Sequence, residues 1–290
     1  MLSEPRPEPA RPLQIRSAEA GVRPPGTWDE LRSLWDARSL LGTFILKDLQ
    51  TRYVGSTIGF FWTVVNPLLE LLTYTFVFHV LIGVRFHPSG TTGHYVLFLF
   101  CGMVAWSAFV DGVTRATTSI TAHAHLMRKL NFPAAILPAH LILSCTLNQV
   151  FRLGILFLAV LLVGDGLSWH ALLAFPFMLV QAAFTMGLGF FFATMHVYFR
   201  DTAHWINAAL MLGMFMTPVF YPAAAYPRQF VLLLYPNPMA QLIGVYQSLI
   251  LNHQLPAPNQ MLFATVVAAL TLIAGASVFA NNRRRFADLV

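Results

Sequence analysis

From residue 58 onward the chain alternates long apolar runs with short polar interruptions. The run lengths match a lipid bilayer, whose hydrocarbon core of roughly 30 Å is crossed by about 20 apolar helical residues. Six stretches meet or approach that length: Ile58–Ile82, Tyr95–Val113, Ala139–Val163, Ala171–Val197, Ala203–Thr217 and Met261–Ala280. The fifth is short and runs into Pro218, Tyr221 and Pro222. Beyond it, Phe230–Tyr235 and Met239–Leu251 are apolar pieces split by Pro236-Asn237-Pro238, neither of comfortable spanning length. They predict a re-entrant or interfacial helical hairpin, a form that survives at membrane depth only where protein or water satisfies its backbone.

Ahead of the spans, Thr27-Trp28-Asp29-Glu30 has the form of a capping box, with Thr27 as N-cap and Glu30 reaching back. Trp28, Leu31, Leu34, Trp35, Leu41 and Ile45 then recur at helical spacing, with Arg32, Asp36, Arg38 and Lys47 on other faces. This predicts an amphipathic helix over 28–46 lying in the membrane interface with its tryptophans at headgroup level. The plainer alternative is a short soluble helix resting on another subunit. Residues 1–25 are proline-rich and charged, with too little apolar surface to fold alone, and predict a disordered cytosolic tail. The expected architecture is an all-α integral membrane protein. It has one transmembrane domain over 26–290, with six transmembrane helices, the N-terminal interface helix and the re-entrant hairpin before the last span.

Composition agrees: 57% of the 290 residues are hydrophobic and 10% charged, against about 25% charged in a soluble domain. No polar stretch is long enough for a second folded domain. The formal charge of +6 raises nucleic acid as a partner, but basic residues flanking membrane spans account for it. Eight precede the first span, Arg115, Arg128 and Lys129 lie between the second and third, Arg200 between the fourth and fifth, and Arg283–Arg285 near the end. Arg85 and Arg228 alone fall on the opposite side. Both termini are therefore expected in the cytoplasm. Cys101 and Cys145 lie in apolar runs and suggest packing, not a disulfide framework. The N-terminus has no apolar core of a signal peptide, so none is expected to be cleaved.

Polar residues inside the spans are the candidate functional groups. Asn66, Pro67 and Glu70 interrupt the first, and a carboxylate there costs roughly 2.5–3.5 kcal/mol unless it finds a partner, a proton or water. Arg152 is the basic residue left within a span. From the cytoplasmic side Glu70 lies about 18 Å deep and Arg152 about 20 Å, at 1.5 Å per residue. Matching depth predicts an ion pair, serving either as a polar gate along a path or as a structural tie between helices. Asn148 and Gln149 stand a turn or less from Arg152 and would join that network. Tyr74 is mid-span with a hydroxyl to satisfy, whereas the many phenylalanines are ordinary lipid-facing residues.

Several blocks carry a resemblance. Leu46-Lys47-Asp48-Leu49-Gln50-Thr51-Arg52-Tyr53, then Gly59-Phe60-Phe61-Trp62 and Asn66-Pro67-Leu68, resemble the opening of ABC-2 type permeases that export polysaccharides such as O-antigen, capsule and teichoic acid. Leu130-Asn131-Phe132-Pro133, Tyr198-Phe199-Arg200-Asp201 with Thr217-Pro218-Val219-Phe220-Tyr221-Pro222, and Leu234-Tyr235-Pro236-Asn237-Pro238-Met239 follow in order. The resemblance covers the chain from about residue 30 onward. It implies a homodimeric permease paired with two copies of a nucleotide-binding ATPase subunit, moving a lipid-linked polysaccharide. The chain has no G-x-x-x-x-G-K-[ST] loop, so ATP and Mg are expected on the partner, with no cofactor on this chain. The resemblance makes Trp28, Trp35, Arg128, Lys129, Phe132, Arg200 and Asp201 candidates for coupling to the ATPase, with 114–135 as a cytoplasmic loop. Asn66, Glu70, Tyr74, Asn148, Arg152 and Tyr221 are candidates for the path or its gate, and the Pro-broken 218–251 segment caps the far side. His123 and His125 lack converging ligands for a metal, and no catalytic constellation stands out. The alternatives are an ABC-2 exporter of a small lipophilic molecule and a membrane-embedded glycan-processing enzyme.

Overall fold

The computed structural model describes residues 26–52, 61–81, 92–127, 133–222, 226, 229 and 234–289. The tail expected over 1–25, most of Phe230–Tyr235, and Arg128, Lys129 and Phe132 lie outside the described residues. Among those described, every regular element is helical.

The order is α1 (Thr27–Asp36), α2 (Arg38–Thr51), α3 (Trp62–Tyr74), α4 (Thr92–Ala122), α5 (Ala124–Met127), α6 (Ile136–Val163), α7 (Ala174–Tyr198), α8 (Thr202–Met216), α9 (Pro238–Ile250) and α10 (Pro258–Leu289). Among the described residues, four helices are long and apolar enough to cross a bilayer: Tyr95–Ala122, Ile136–Val163, Trp169–Tyr198 including a 3-10 turn, and Pro258–Phe286. α3 continues into a π-helical stretch, Thr75–Leu81, and contains Pro67. Proline removes a backbone donor, and π turns widen the helix, so the backbone on both sides of Glu70 departs from regular α geometry.

The N-terminal helix differs from its expected form. It breaks at Ala37 into α1 and α2. The N-cap is Gly26, whose N–H donates to Asp29 Oδ2 at 2.8 Å, while Thr27 Oγ1 is 2.7 Å from Ser277 on α10. Trp28, Leu31, Leu34 and Trp35 do share one side of α1, where Leu31 and Leu34 pack into a core shared with α6, α7 and α10 and Trp28 and Trp35 are 66% and 72% exposed. Much of the loop expected over 114–135 is helix, because α4 runs on to Ala122 with its polar residues at helical spacing.

The main core lies where α4, α6, α7, α9 and α10 meet. α7 and α10 approach closely enough that a methyl group on Gly187 or Gly275 would overlap the other helix's backbone, the small-residue contact by which helices in lipid pack tightly. α9 follows the Pro-Asn-Pro turn, with Asn237 Oδ1 accepting from the N–H groups of Met239 and Ala240. One side of it is buried against the bundle: Leu242, Ile243, Val245, Tyr246, Leu249 and Ile250 are almost fully enclosed.

Candidate functional site

α4 is largely buried, and its partly accessible positions over 107–118 are Ser107, Val110, Asp111, Thr114, Arg115 and Thr118. Three- and four-residue steps place them on one face. α6 brings His140, Ser144, Asn148 and Arg152 at successive four-residue steps. The helices pair antiparallel, since Arg152 donates to Ser107 Oγ near one end and Arg115 Nη1 lies 3.8 Å from Cys145 Sγ at the other. That register sets Asp111 level with Asn148. The result is a polar seam about 12 Å long, taken as eight residues of rise on α4.

Each end is closed by a carboxylate from the N-terminal segment. At one end stands Asp48 of α2, which receives both terminal nitrogens of Arg115, Nη1 at 3.0 Å from Oδ2 and Nη2 on Oδ1. Arg52 Nε donates to it at 3.1 Å, and Ser144 Oγ donates as well. Arg52 also reaches Ser144 Oγ at 3.3 Å and Cys145 Sγ at 3.2 Å. A forked guanidinium on a carboxylate is among the stronger polar contacts available to a protein. Burial by itself raises the Asp48 carboxyl, but the hydrogen bonds from Arg115 and Ser144 and the charges of Arg115 and Arg52 outweigh it and hold the group at about 2. At the other end Glu70 Oε2 of α3 lies 3.9 Å from Arg152 Nη1, so the residues matched by depth do face each other. Arg152 is the more enclosed, with 13% of its side chain exposed against 35% for Glu70.

A second buried network ties four helices together. Gln149 Nε2 donates to Gln181 Oε1 at 3.2 Å, Tyr246 Oη donates to the same oxygen at 3.0 Å, and Gln181 Nε2 donates to the Ala105 carbonyl at 2.9 Å. Gln149 thus joins α7 and α9 and not Arg152, because one residue beyond Asn148 turns it about 100° around α6.

Of the other expected path residues, Asn148 is buried, Asn66 is exposed on α3, and Tyr74 is half-buried with its ring edge-on to Phe220 at 5.9 Å. Tyr221 folds back so that its hydroxyl donates to the Phe215 carbonyl at the end of α8. Among the coupling candidates, the exposed Trp28 and Trp35 share one end of the molecule with Arg200 and Asp201. α1 is fixed there by Arg283 on Glu30 at 2.8 Å, and the α7–α8 turn by Tyr198 Oη on Asn282 Oδ1 at 2.8 Å, both on the last turns of α10. Tyr221 lies at the opposite end, next to Phe220, whose carbonyl accepts from Tyr95 at the start of α4. Asp48, Arg115 and Ser107 were not singled out from sequence. Their signal was the four-residue recurrence of polar positions through an otherwise apolar helix.

A multi-pass helical bundle that holds networked charges along an interior seam defines a membrane protein built around a polar interior. A family model described as ABC-2 type transporter matches residues 39–251, and the chain belongs to that family. It is the membrane subunit of a transporter and not an enzyme. The chain is 30% identical over 262 residues to the O-antigen export system permease protein RfbA of Myxococcus xanthus, covering 90% of this chain and 98% of that protein. It is 29% identical over 254 residues to an O-antigen export system permease protein RfbA of Klebsiella pneumoniae, covering 87% and 95%.

Proposed function

We propose that this chain is the transmembrane permease of an ATP-driven exporter moving lipid-linked polysaccharide of the O-antigen kind across the bacterial inner membrane. The observation that carries the reading is the nearly end-to-end likeness to O-antigen export permeases. A polar seam enclosed by helices suits a hydroxyl-rich polymer better than a lipophilic drug. The six-span count adds α3 with its π continuation, and α8, to the four long helices. Leu68, Leu69 and Leu72 on α3, Phe76 on its π continuation, and Trp205, Met211, Leu212 and Phe215 on α8 are exposed; lipid, or a second protomer in the homodimer, covers them. α9 and the turn before it cap the far side as the re-entrant element.

In this reading two copies of a separate ATPase bind ATP and Mg. They meet the permease at the end that gathers Trp28, Trp35, Arg200 and Asp201, with Arg128, Lys129 and Phe132 as further coupling candidates. That end is cytoplasmic, as the basic residues around it favour. Movement of α1 and α2 there acts on Asp48 and, through α4 and α6, on Arg152 and Glu70.

The test is deletion of the gene in its host, followed by immunoblotting of surface polysaccharide and native mass spectrometry of the permease purified with the ATPase encoded beside it. Loss of surface polysaccharide, its recovery on complementation and a complex of two plus two subunits are expected. Unchanged surface polysaccharide, with hydrolysis stimulated by lipophilic drugs alone, would overturn the reading.

A further inference from the structure

About 38 Å along α10 from Arg283, where the helix begins at Pro258, lies a pocket with no part in the seam. The start of α10, one side of α9 and the turn leading into α9 line an open pocket of about 770 Å³, within the range of about 300–1,000 Å³ found for small-molecule sites. Its polar lining is four carboxamides, Gln241, Gln247, Asn259 and Gln260, and its rings are Tyr235 and Phe263. The described residues that line it include no charged side chain.

That lining selects by chemistry. A phosphate or other anion calls for Lys, Arg or clustered N–H groups, a cation for carboxylates, and an acyl chain for no amide at all. A carboxamide offers a donor and an acceptor together, the complement of a sugar hydroxyl, and an aromatic ring takes the C–H face of a pyranose. The amides are also fixed in place. Gln241 Nε2 donates to the carbonyls of Leu234 at 3.1 Å and Tyr235 at 3.3 Å, and Gln260 Nε2 donates to the Gln241 carbonyl at 2.9 Å. Gln247 stands apart from them, because its Nε2 is buried with no hydrogen-bond partner. A buried donor without an acceptor is unfavourable, and a ligand hydroxyl beside it supplies one after a small turn of the amide.

We propose that this cavity is a glycan subsite at the exit end of the permease, holding neutral sugar units of the emerging polymer through these amides and stacking a ring on Tyr235 or Phe263. The proposal rests on the polysaccharide-export reading above and names a site for it. Contacts of this kind are individually weak and exchangeable, which lets a polymer advance while its leading units stay out of water.

The test uses the full permease–ATPase complex in lipid nanodiscs, with polysaccharide released from the host's lipopolysaccharide by mild acid as the titrant in calorimetry. The double variant Gln247→Leu/Asn259→Leu is expected to bind at least about tenfold more weakly while melting like the parent. Tyr235→Ala, at an exposed position, changes no core contact and is expected to weaken binding in the same direction. Affinities within twofold of the parent in both variants would overturn the subsite while leaving the export reading intact. So would a phospholipid that native mass spectrometry finds bound to the parent and lost from the variants whose polysaccharide affinity is unchanged. If the parent complex itself neither binds nor is stimulated by the polysaccharide, and deletion leaves surface polysaccharide normal, the subsite and the export reading fall together.

Discussion

Replacing Asp48 by Asn keeps the shape and acceptor oxygen of the side chain but removes the charge that Arg115 and Arg52 converge upon. The held value of about 2 against an ordinary 3.8 is close to two pK units, or about 2 kcal/mol of preference for the charged carboxylate in the folded state. Removing it also strands two guanidiniums. Arg115 keeps 32% of its side chain exposed, so water limits that penalty to less than the roughly 3–5 kcal/mol of a fully buried pair. Because the folded value is depressed, the stabilisation is fully present above the ordinary carboxylate range and fades as pH falls from about 4 to about 2. The parent should therefore be the more stable protein at pH 7 by about 2 kcal/mol or somewhat more, with parent and Asp48→Asn converging toward pH 2. Thermal unfolding followed by intrinsic tryptophan fluorescence, which needs no thiolate and works from pH 7 down to pH 2, reads this directly. Combining Asp48→Asn with Arg115→Gln should cost less than the two single changes summed. Equal melting of parent and Asp48→Asn at pH 7, or parallel pH profiles, would refute the reasoning.

Two further outcomes are expected. Glu70→Gln and Arg152→Gln should each lower export or membrane abundance, the second more because Glu70 then loses the cation it faces while in the first Arg152 retains Ser107; the double change should be milder than the sum, by about 0.5–3 kcal/mol of coupling, and strict additivity measured across the set would mean that the pair is not coupled. Single cysteines placed at Arg228 and His253 should label from outside intact cells and one at Arg128 should not; labelling of His253 only from the cytoplasm would add a span.

Much of the bundle was legible because hydropathy reports length, and a bilayer fixes the length it demands. The depth match of Glu70 and Arg152 worked for a related reason: the rise of a helix is constant, so counting residues measures distance. Ends were read less well. α4 outlasts Val113 by nine residues, because Thr114, Arg115 and Thr118 mark a change of surroundings on one face and not the end of the helix. The capping box missed its N-cap by one residue, since Gly26 with Asp29 satisfies the same donor and frees Thr27 for Ser277. The Asp48–Arg115 pair was out of reach, since it joins residues 67 apart through the folding of α2 beneath α4 and α6. Asp48, Arg52 and Arg115 already had a sufficient local explanation as charges at span ends.

The position of those charges explains what fixes the N-terminal segment. α2 has no fully buried residue and α3 only Thr63 and Pro67, so their apolar packing rests on half-buried side chains such as Leu41 and Phe44 on α2 and Leu71 and Tyr74 on α3. Both also meet α4 and α6 through charge, Asp48 at one end of the seam and Glu70 at the other. An interior carboxylate is an expensive way to attach a helix, but an ion pair has a definite geometry and a definite release, whereas an apolar contact in lipid slides with little change in energy. Glu30 on Arg283 repeats the device where α1 meets α10. In the export reading proposed above, a push on α1 and α2 reaches the bundle through these three pairs, with Glu70, which faces Arg152, the farthest of the three carboxylates along the chain from α1.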